Sequence, residues 1–298
     1  MNTSPAWVIT GPTSGIGLRT ALELAKHGTV VLVGRDPKKL AEVQAEIRSI
    51  GSDAVTVIAD FSDVDSVRHA AAEIVALDLS IGGVLNNAGI MPSTASKTVA
   101  GFDLTFATDH LGPFAFTEAL IPNLADGTTV TFIVSAVEDA DRKIAHRAGY
   151  RGSRYISAEA SARGEWMPGG STHGGYDAYA TSKQGGLATV LSFAREFPRL
   201  RFRAIEPGVN PGSNLSRDAS PAAQRLAKIL GPVLSPLPYF STPKRAARMI
   251  AGVVTDTSDA TGVYYNENGR PMTASAQVSD PAFQDRYVAE TRELLADR

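Results

Sequence analysis

Short apolar runs alternate with longer amphipathic stretches through the first half of the chain. The runs are rich in β-branched residues and predict buried strands at "WVIT" (7–10), "TVVLVG" (29–34), "AVTVIA" (54–59), "GVLNNA" (83–88) and "TVTFIVS" (129–135). The alanine- and leucine-rich stretches between them predict helices over 16–27, 37–50, 63–76 and about 103–125. Buried strands separated by helices are typical of parallel β-α-β units with helices on both faces of the sheet.

The alternation resumes after a polar stretch at 138–175, which we predict to be a surface excursion. The later pattern predicts helices over 176–197, 219–230, 243–255 and 280–296, with strands at "LRFRAIEP" (200–207) and "TGVYYN" (261–266). No linker or repeat interrupts the series, so residues 1–298 are predicted to form a single doubly wound α/β domain of the Rossmann type. Its mostly parallel sheet would have about seven strands, and 209–240 would be a substrate-loop region.

Composition removes several classes of function. The 298 residues are 43% hydrophobic and 20% charged, with a formal net charge of −2, so no strong field attracts nucleic acid or an anionic membrane. The absence of cysteine excludes disulfides, thiolate metal sites and cysteine nucleophiles. The five histidines lack ligand spacing, so no metal is predicted. The N-terminus has no signal-like core, and no run approaches the roughly 18 apolar residues of a membrane span, so we expect a cytoplasmic protein.

A glycine-rich turn, "TGPTSGIG" (10–17), joins the first predicted strand to the first helix. Glycines there let the backbone turn tightly and approach a pyrophosphate, and the helix N-terminus offers unpaired N–H groups with a partial positive charge. The spacing differs from the commoner G-x-G-x-x-G, and such glycines alone also make simple turns. Their place at the start of a β-α-β series favours a dinucleotide site. The residues predicted to bind the cofactor here are Gly11, Thr13, Ser14, Gly15, Ile16 and Gly17.

The second strand ends in "VLVGRDPKKL" (31–40), where a dinucleotide fold meets the adenine ribose. An acidic residue there favours a free 2′-hydroxyl, whereas an arginine accommodates a 2′-phosphate. Arg35 occupies this place, so we predict that NADP (NADPH) is preferred over NAD. The alternative is a solvated arginine at a helix start, with Asp36 as the cap of that helix.

The ends of the next two strands complete the predicted cofactor site. Asp60 could bond the adenine amino group with Phe61 beside the ring, while Ser62 or Asp63 could cap the following helix. Asn87 is predicted to stabilise the sheet. Ala88 and Gly89 would provide a floor of small residues near the ribose, unless they form only a strand-to-turn junction.

A tyrosine and a lysine stand four positions apart in "YDAYATSK" (176–183). In a helix, Tyr179 and Lys183 would share one face. A free phenol has a pKa of about 10, too high for easy proton transfer near neutrality. A neighbouring ammonium would lower that pKa, so the pair is a candidate acid catalyst, although an ordinary helix pair has the same spacing.

The motifs T-G-x-x-x-G-I-G (10–17), N-N-A-G (86–89), Y-x-x-x-K (179–183) and P-G (207–208) resemble, in order and approximate spacing, those of the short-chain dehydrogenase/reductases. The stretch 101–120 and the long insert before the tyrosine are most similar to the branch of retinol-dehydrogenase-like and protochlorophyllide-reductase-like members. The resemblance implies that Tyr179 is the acid/base and that Lys183 also holds the nicotinamide ribose. It further implies cofactor contacts from Pro207, Gly208 and Val209.

Two departures from the family pattern bear on catalysis. Relatives carry a catalytic serine after the fifth strand, often the second of two, and this chain has Ser135 followed by Ala136. The register decides whether Ser135 is that serine or Ala136 occupies its place. Relatives also carry an asparagine before H-L-G that supports a water-linked proton relay, whereas this chain has Asp109, which only accepts hydrogen bonds when ionised. Asp109 would hold a relay water, shift the pKa of nearby groups or play no catalytic part.

The sequence therefore predicts an NADP-dependent oxidoreductase that transfers a hydride between nicotinamide and a carbonyl or alcohol of a small, apolar molecule. The alternatives are a non-catalytic NADP-binding sensor or scaffold, a reductase of an activated C=C or C=N bond, and an isomerase or dehydratase on the same fold. The substrate walls are predicted at 91–95, 138–175 and 209–239, with Trp166 and Met167 either lining the site or packing under a loop. The resemblance implies a homodimer or homotetramer.

Overall fold

The computed structural model describes residues 4–209, 239 and 241–296. Their strands form one sheet in the order β3-β2-β1-β4-β5-β6-β7, and every neighbouring pair is parallel. The strands are β1 Ala6–Thr10, β2 Thr29–Gly34, β3 Ala54–Ile58, β4 Ile81–Asn86, β5 Thr129–Ile133, β6 Arg201–Ile205 and β7 Val263–Tyr265. The predicted fold class, a doubly wound domain with about seven parallel strands, is confirmed.

Helices alternate with these strands. They are α1 Gly15–Leu24, α2 Pro37–Ser49, α3 Val64–Ala76, α4 Leu104–Phe106, α5 Gly112–Leu120, α6 Lys143–Arg147, α7 Ala158–Arg163, α8 Tyr176–Glu196, α9 Pro243–Thr255 and α10 Pro281–Ala296. Two of them begin with aspartate caps: the Asp36 carboxylate accepts from the first-turn N–H groups of α2, and Asp63 does the same for α3. The helix predicted over 219–230, and all of the 209–240 region except Val209 and Tyr239, lie outside the described residues.

Side chains on the two faces of the sheet form separate cores. One face packs the aromatic residues of α5 and α8 against β5 and β6, including the fully buried Phe114, Phe193 and Phe202. The other packs β1 and β2 against α1, α2 and α9. Because the strand order reverses between β1 and β4, the carboxyl ends of these two strands border a crevice where doubly wound folds bind ligands.

The helix predicted over 103–125 is interrupted. A π-helical segment at Ala107–Leu111 separates α4 from α5, and a short 3₁₀ turn follows at Ile121–Asn123. One extra residue per turn changes which side chains face the sheet, and such segments are frequent at functional sites. The apolar period alone does not reveal this change, because the flanking turns keep normal helical spacing.

The 138–175 stretch is more ordered than predicted. It contains α6 and α7, and Tyr155 is buried with its ring stacked at 3.9 Å on Tyr287 of α10. One side of α8 packs against α10 of the same chain, with Thr181 and Ser192 bonded to Tyr287 and Asp285. Oligomeric state therefore stays a prediction, and that surface of α8 is internal core.

Candidate active site

The glycine turn after β1 leaves the start of α1 open. Ser14 occupies the N-cap position, but its side chain makes no capping hydrogen bond, and the first turn carries no acidic residue. A helix start with unpaired N–H groups and no anion of its own attracts an anionic ligand. The turn is tight, because a Cβ on Gly17 would lie 2.3 Å from the Gly11 carbonyl oxygen and 2.5 Å from Asn87 Nδ2. These features fit the pyrophosphate of a dinucleotide.

Asn87 ties the end of β4 to that turn. Its Nδ2 donates to the carbonyl oxygens of Thr10 at 2.8 Å and Gly11 at 3.2 Å, and its backbone N–H donates to the Thr10 hydroxyl. The predicted sheet-stabilising part of Asn87 matches these bonds. Gly89 lies close to the candidate catalytic side chains, since a Cβ there would meet Asp109 Oδ2 at 2.9 Å and Lys183 Nζ at 3.3 Å.

Asp60 and Phe61, which follow β3 and were predicted to contact adenine, are engaged in contacts within the protein. One oxygen of Asp60 accepts from the backbone N–H and hydroxyl of Ser62, and the cap of α3 is Asp63. The Phe61 ring is only 5% exposed and packs edge-on against Phe116 at 5.5 Å. Its side chain therefore belongs to the core, and the expectation of a ring beside adenine is wrong because burial against an aromatic helix face is the more favourable position for that ring.

Arg35 and Asp36 have different structural roles at the end of β2. Asp36 Oδ1 accepts from the N–H groups of Lys38 and Lys39 at 3.1 and 3.2 Å, so its carboxylate is occupied as a helix cap. Arg35 is exposed at the same strand end. The cap therefore accounts for the acidic residue, and Arg35 stays exposed next to it.

Tyr179 and Lys183 share one face of α8, as their spacing predicts. Lys183 Nζ lies 5.1 Å from the centre of the Tyr179 ring and 3.0 Å from Asp109 Oδ2. The other oxygen of Asp109 accepts from the Ile90 N–H at 2.7 Å. The π-helical segment carries Asp109 to this place, and its side chain is fully buried. Of the alternatives for Asp109, the geometry shows a direct ion pair with Lys183.

The hydroxyl of Ser135 is near enough to the Tyr179 phenol and the Glu206 carboxyl to lower the pKa of each group. The neighbouring residue, Ala136, presents its backbone N–H to Glu206 as well. The register after β5 therefore brings Ser135, and not the Ala136 methyl, to the phenol. Its role in catalysis stays a prediction.

The electrostatic environment of the phenol differs from the simple tyrosine–lysine picture. Burial raises the pKa of Tyr179 well above its usual range, and the nearby Tyr150, Asp109 and Glu206 raise it further. The Ser135 hydroxyl acts in the opposite direction. Because Asp109 pairs with Lys183, much of the ammonium's effect on the phenol is offset. In the protein alone Tyr179 is therefore a neutral proton donor.

Sequence reasoning did not single out Glu206, although it directly precedes the P-G pair of the family pattern. Its Oε1 accepts from the Gly208 N–H at 3.1 Å, and burial raises the pKa of its carboxyl. Gly208 itself has a positive φ of 77°, and the following residue, Val209, pairs with the backbone of Tyr239 and Ser241. An acidic residue after a buried strand, at the carboxyl edge of the sheet, was the available signal.

Aromatic and sulfur-containing side chains form one side of the site. The rings of Tyr150 and Tyr176 stack at 4.1 Å, His173 lies 5.0 Å from Tyr176, and the Tyr150 hydroxyl contacts Met91 Sδ at 3.0 Å. The predicted contribution of the 138–175 stretch thus comes from Tyr150. In contrast, Trp166 packs against Phe106 and the core.

Within 4–209, 239 and 241–296, no group of three or more His, Cys, Asp and Glu side chains is arranged to bind a metal ion. In the same ranges, none of the helices has both the length and the hydropathy needed to cross a bilayer.

Comparisons with known proteins agree with the fold and the motif order. The family model described as short chain dehydrogenase matches residues 6–155. Retinol dehydrogenase 12 from Mus musculus is 34% identical over 296 residues, covering 97% of this chain and 85% of that protein. Protochlorophyllide reductase B, chloroplastic, from Hordeum vulgare is 26% identical over 307 residues, covering 96% and 76%.

A solved structure supports the architecture independently. A short chain dehydrogenase from Burkholderia cenocepacia J2315 in complex with NADP superposes with a TM-score of 0.65 at 20% identity, covering 89% of this chain and 96% of that one. The chain belongs to the short-chain dehydrogenase/reductase family. It is accordingly an NAD(P)-dependent oxidoreductase, and its relatives include the retinol dehydrogenase and protochlorophyllide reductase branch inferred from the motifs.

Proposed function

We propose that this protein is an NADPH-preferring reductase of aldehydes or ketones on small, apolar molecules, with Tyr179 as the acid/base. The observation that carries the proposal is the convergence of Ser135, Tyr179, Lys183 and Asp109 at the carboxyl edge of the sheet, next to the open start of α1. They come from three segments, the turn after β5, the π-helical segment and α8, so their convergence requires the whole fold.

The proposed reaction has one proton-transfer step that this chain performs. When bound, the cofactor supplies a hydride to the carbonyl carbon, and the electron pair of the C=O π bond moves to the oxygen. The Tyr179 hydroxyl donates its proton to that oxygen, so the carbonyl is reduced to an alcohol as the cofactor is oxidised. Ser135 orients the oxygen by a hydrogen bond, and Lys183 holds the nicotinamide ribose. The high pKa of the phenol keeps the proton in place until negative charge develops on the substrate.

The aromatic side of the site supports an apolar substrate. Tyr150, Tyr176 and Met91 offer two aromatic rings and a thioether on this side. Two relatives are named for retinol and for protochlorophyllide. We therefore place medium-chain and aromatic carbonyl compounds first among the substrates.

Turnover and cofactor binding are tested together. NADPH consumption is measured with decanal, benzaldehyde, all-trans-retinal and an α,β-unsaturated ketone, and the products are identified. Tyr179→Phe should abolish carbonyl reduction while NADPH still binds with unchanged affinity. If product analysis shows only a reduced C=C bond, a different reductase is indicated. If NADPH binds but the wild type consumes none with any compound, the sensor hypothesis replaces this one.

The proposed preference for NADPH rests on Arg35, which is exposed, and on Asp36, whose carboxylate is occupied as the cap of α2. Arg35→Ser should raise the Kd for NADPH by about 10-fold or more, as expected for loss of a charge-assisted contact with phosphate, and leave the Kd for NADH nearly unchanged. The exposed Lys26, just after α1, is a matched control, since it pairs with Glu23 before β2 begins. Equal effects of Arg35→Ser on both cofactors would contradict the preference.

A further inference from the structure

The turn that follows β5 has weak support from its own backbone. It is a single 3₁₀ turn at Ala136–Glu138, and the bonds from the Glu138 N–H to the Ser135 carbonyl and from the Asp139 N–H to the Ala136 carbonyl are both 3.3 Å long. Such turns have poorer hydrogen-bond geometry than α-helices. Ser135 occupies the N-cap position, but its side chain makes no capping hydrogen bond. The place of Ser135 therefore depends on what holds the turn from outside.

Side chains from two other segments hold the two ends of this turn. At its start, the carboxyl of Glu206 accepts from the Ala136 N–H. At its end, Glu138 is buried, and its Oε1 and Oε2 accept from the Ser275 N–H at 3.0 Å and the Ser275 hydroxyl at 2.7 Å. Both bonds of this Glu138–Ser275 pair are shorter than the bonds inside the turn. Since Ser275 lies 137 positions later in the chain, the pair fixes the turn to the C-terminal part of the fold.

The backbone of Glu138 also joins the turn to the helix that carries the tyrosine–lysine pair. Its carbonyl oxygen accepts from the Ser153 N–H at 2.8 Å. The Ser153 hydroxyl donates to Gln184 Oε1 at 2.7 Å. Gln184 is buried on α8 and directly follows Lys183 in the chain. A network of hydrogen bonds thus connects the turn next to Ser135 with the part of α8 that holds Lys183.

We propose that Glu138 is a positioning residue, which keeps Ser135 in its place at the carboxyl edge of the sheet by fixing the turn that follows it. The inference rests on the proposed function, in which Ser135 orients the substrate oxygen. The carboxyl of Glu138 bonds Ser275, so its effect on turnover passes through the turn. The motif pattern assigns no role to this glutamate.

The Glu138–Ser275 pair requires matching hydrogen-bonding atoms more than it requires a charge. Burial is the largest influence on the Glu138 carboxyl and raises its pKa, whereas the donors of Ser275 lower it. A glutamine has the same shape, and its oxygen can accept from the Ser275 N–H while its amide donates to the hydroxyl oxygen, because a hydroxyl both donates and accepts. Glu138→Gln should therefore keep both bonds. Glu138→Ala removes both, and Ser275→Ala removes one.

Steady-state carbonyl reduction tests the proposal first. Glu138→Ala should lower kcat by up to about 100-fold, the cost of misplacing a group at the site by about 1 Å, and leave the Kd for NADPH unchanged. Ser275→Ala should have a smaller effect in the same direction, and Glu138→Gln should retain a kcat close to that of the wild type. A Glu138→Gln enzyme as slow as Glu138→Ala would overturn the proposal.

A double-mutant cycle shows whether the effect passes through Ser135. In the Ser135→Ala background, Glu138→Ala should cause little further loss of kcat, because the group that it positions is already absent. An equal loss in both backgrounds would show a general loosening of the fold and overturn the proposal. If Glu138→Ala does not fold, the same cycle is measured with Ser275→Ala, which leaves the bond to the Ser275 N–H in place.

Glu290 on α10 provides a matched control. Its Oε2 also accepts from one hydroxyl and one N–H group, those of Tyr155 at 2.6 Å and Ala158 at 3.0 Å. These bonds hold the later part of the 138–175 stretch and do not involve the turn after β5. Glu290→Ala should lower the free energy of unfolding and leave kcat unchanged. A loss of kcat in this variant that disappears in the Ser135→Ala background would show that the role is not specific to Glu138.

Amide hydrogen exchange separates failure of this proposal from failure of the proposed function, because it requires no turnover. The peptide covering 134–139 should exchange faster in Glu138→Ala than in the wild type, and at the wild-type rate in Glu290→Ala. Unchanged exchange in Glu138→Ala would overturn the proposal even if carbonyl reduction by Tyr179 is established. Faster exchange in a protein that reduces no carbonyl compound would support the hold of Glu138 on the turn and refute only the reductase assignment.

Discussion

Burial raises the pKa of Asp109, and the Lys183 ammonium lowers it. In the ion pair with Lys183 the carboxylate is ionised, so replacing Asp109 with asparagine removes one charge and little else. The amide is the same size, and its oxygen can still accept from Ile90 N–H or Lys183 Nζ, which now bond the carboxylate at 2.7 and 3.0 Å. The ammonium of Lys183 is then no longer neutralised by a partner. Its field at the Tyr179 ring, partly cancelled in the wild type, becomes fully effective.

The size of the effect follows from the geometry. At the 5.1 Å between Lys183 Nζ and the ring centre, a unit charge contributes about 3 kcal/mol at an effective dielectric constant of about 20. This corresponds to about two pKa units. Because the wild-type ion pair cancels only part of that field, Asp109→Asn should lower the pKa of Tyr179 by about one to two units.

The assay is alcohol oxidation with NADP⁺, in which the phenol must first lose its proton. The acidic limb of the kcat/KM profile should move down by the same one to two units in Asp109→Asn, so oxidation near neutral pH becomes about 10- to 100-fold faster. Tyrosinate absorbance of the NADP⁺ complex, corrected with Tyr179→Phe, should show the shift directly.

A buried aspartate in the same region serves as the control. Asp103 caps α4 by accepting from the Phe106 N–H at 2.9 Å and makes no contact with Lys183. Asp103→Asn keeps a capping side chain and should leave the limb unmoved. If the limb in Asp109→Asn is unmoved or rises, Asp109 is uncharged in the holoenzyme, and the electrostatic account of the site is refuted.

Two further substitutions test the fold around the site. Gly17→Ala places a methyl 2.3 Å from the Gly11 oxygen and should abolish dinucleotide binding, whereas Gly252→Ala, with open space and a helical backbone, should raise the free energy of unfolding by about 0.5–1 kcal/mol. Similar effects of the two changes on dinucleotide binding would refute the assignment of the glycine turn to the pyrophosphate. His110 is buried beside Thr291, and burial lowers its pKa to about 3. Below pH 6.5 the unfolded chain binds a proton that the folded one does not, so at pH 5 this histidine costs about 2 kcal/mol of stability. His110→Gln should reduce the loss of stability on acidification. A denaturation midpoint that falls with pH as steeply as in the wild type would contradict this.

Strand and helix identities follow from local chemistry, and so the sequence alone predicted them. Continuous β-branched runs such as β2 can be buried only in the middle of a sheet, and glycine is required where a turn passes within contact distance of another backbone, as at Gly17. The spacing of Tyr179 and Lys183 fixes their shared helical face for the same reason, since one turn of helix separates them. These are properties of neighbouring residues, visible in a single chain.

The electrostatics of the site depend on residues far apart in the chain, and only the tertiary structure brought them together. The π-helical segment turns Asp109 toward Lys183, 74 positions later in the sequence, and neither residue's local pattern encodes the pairing. The register at the end of β5 brings Ser135, and not Ala136, near the Tyr179 phenol. That register is set by the pairing of β5 with β6. Burial beside Glu206 and Asp109 reversed the expected direction of the Tyr179 pKa, because desolvation is a property of the packed interior and not of any sequence segment.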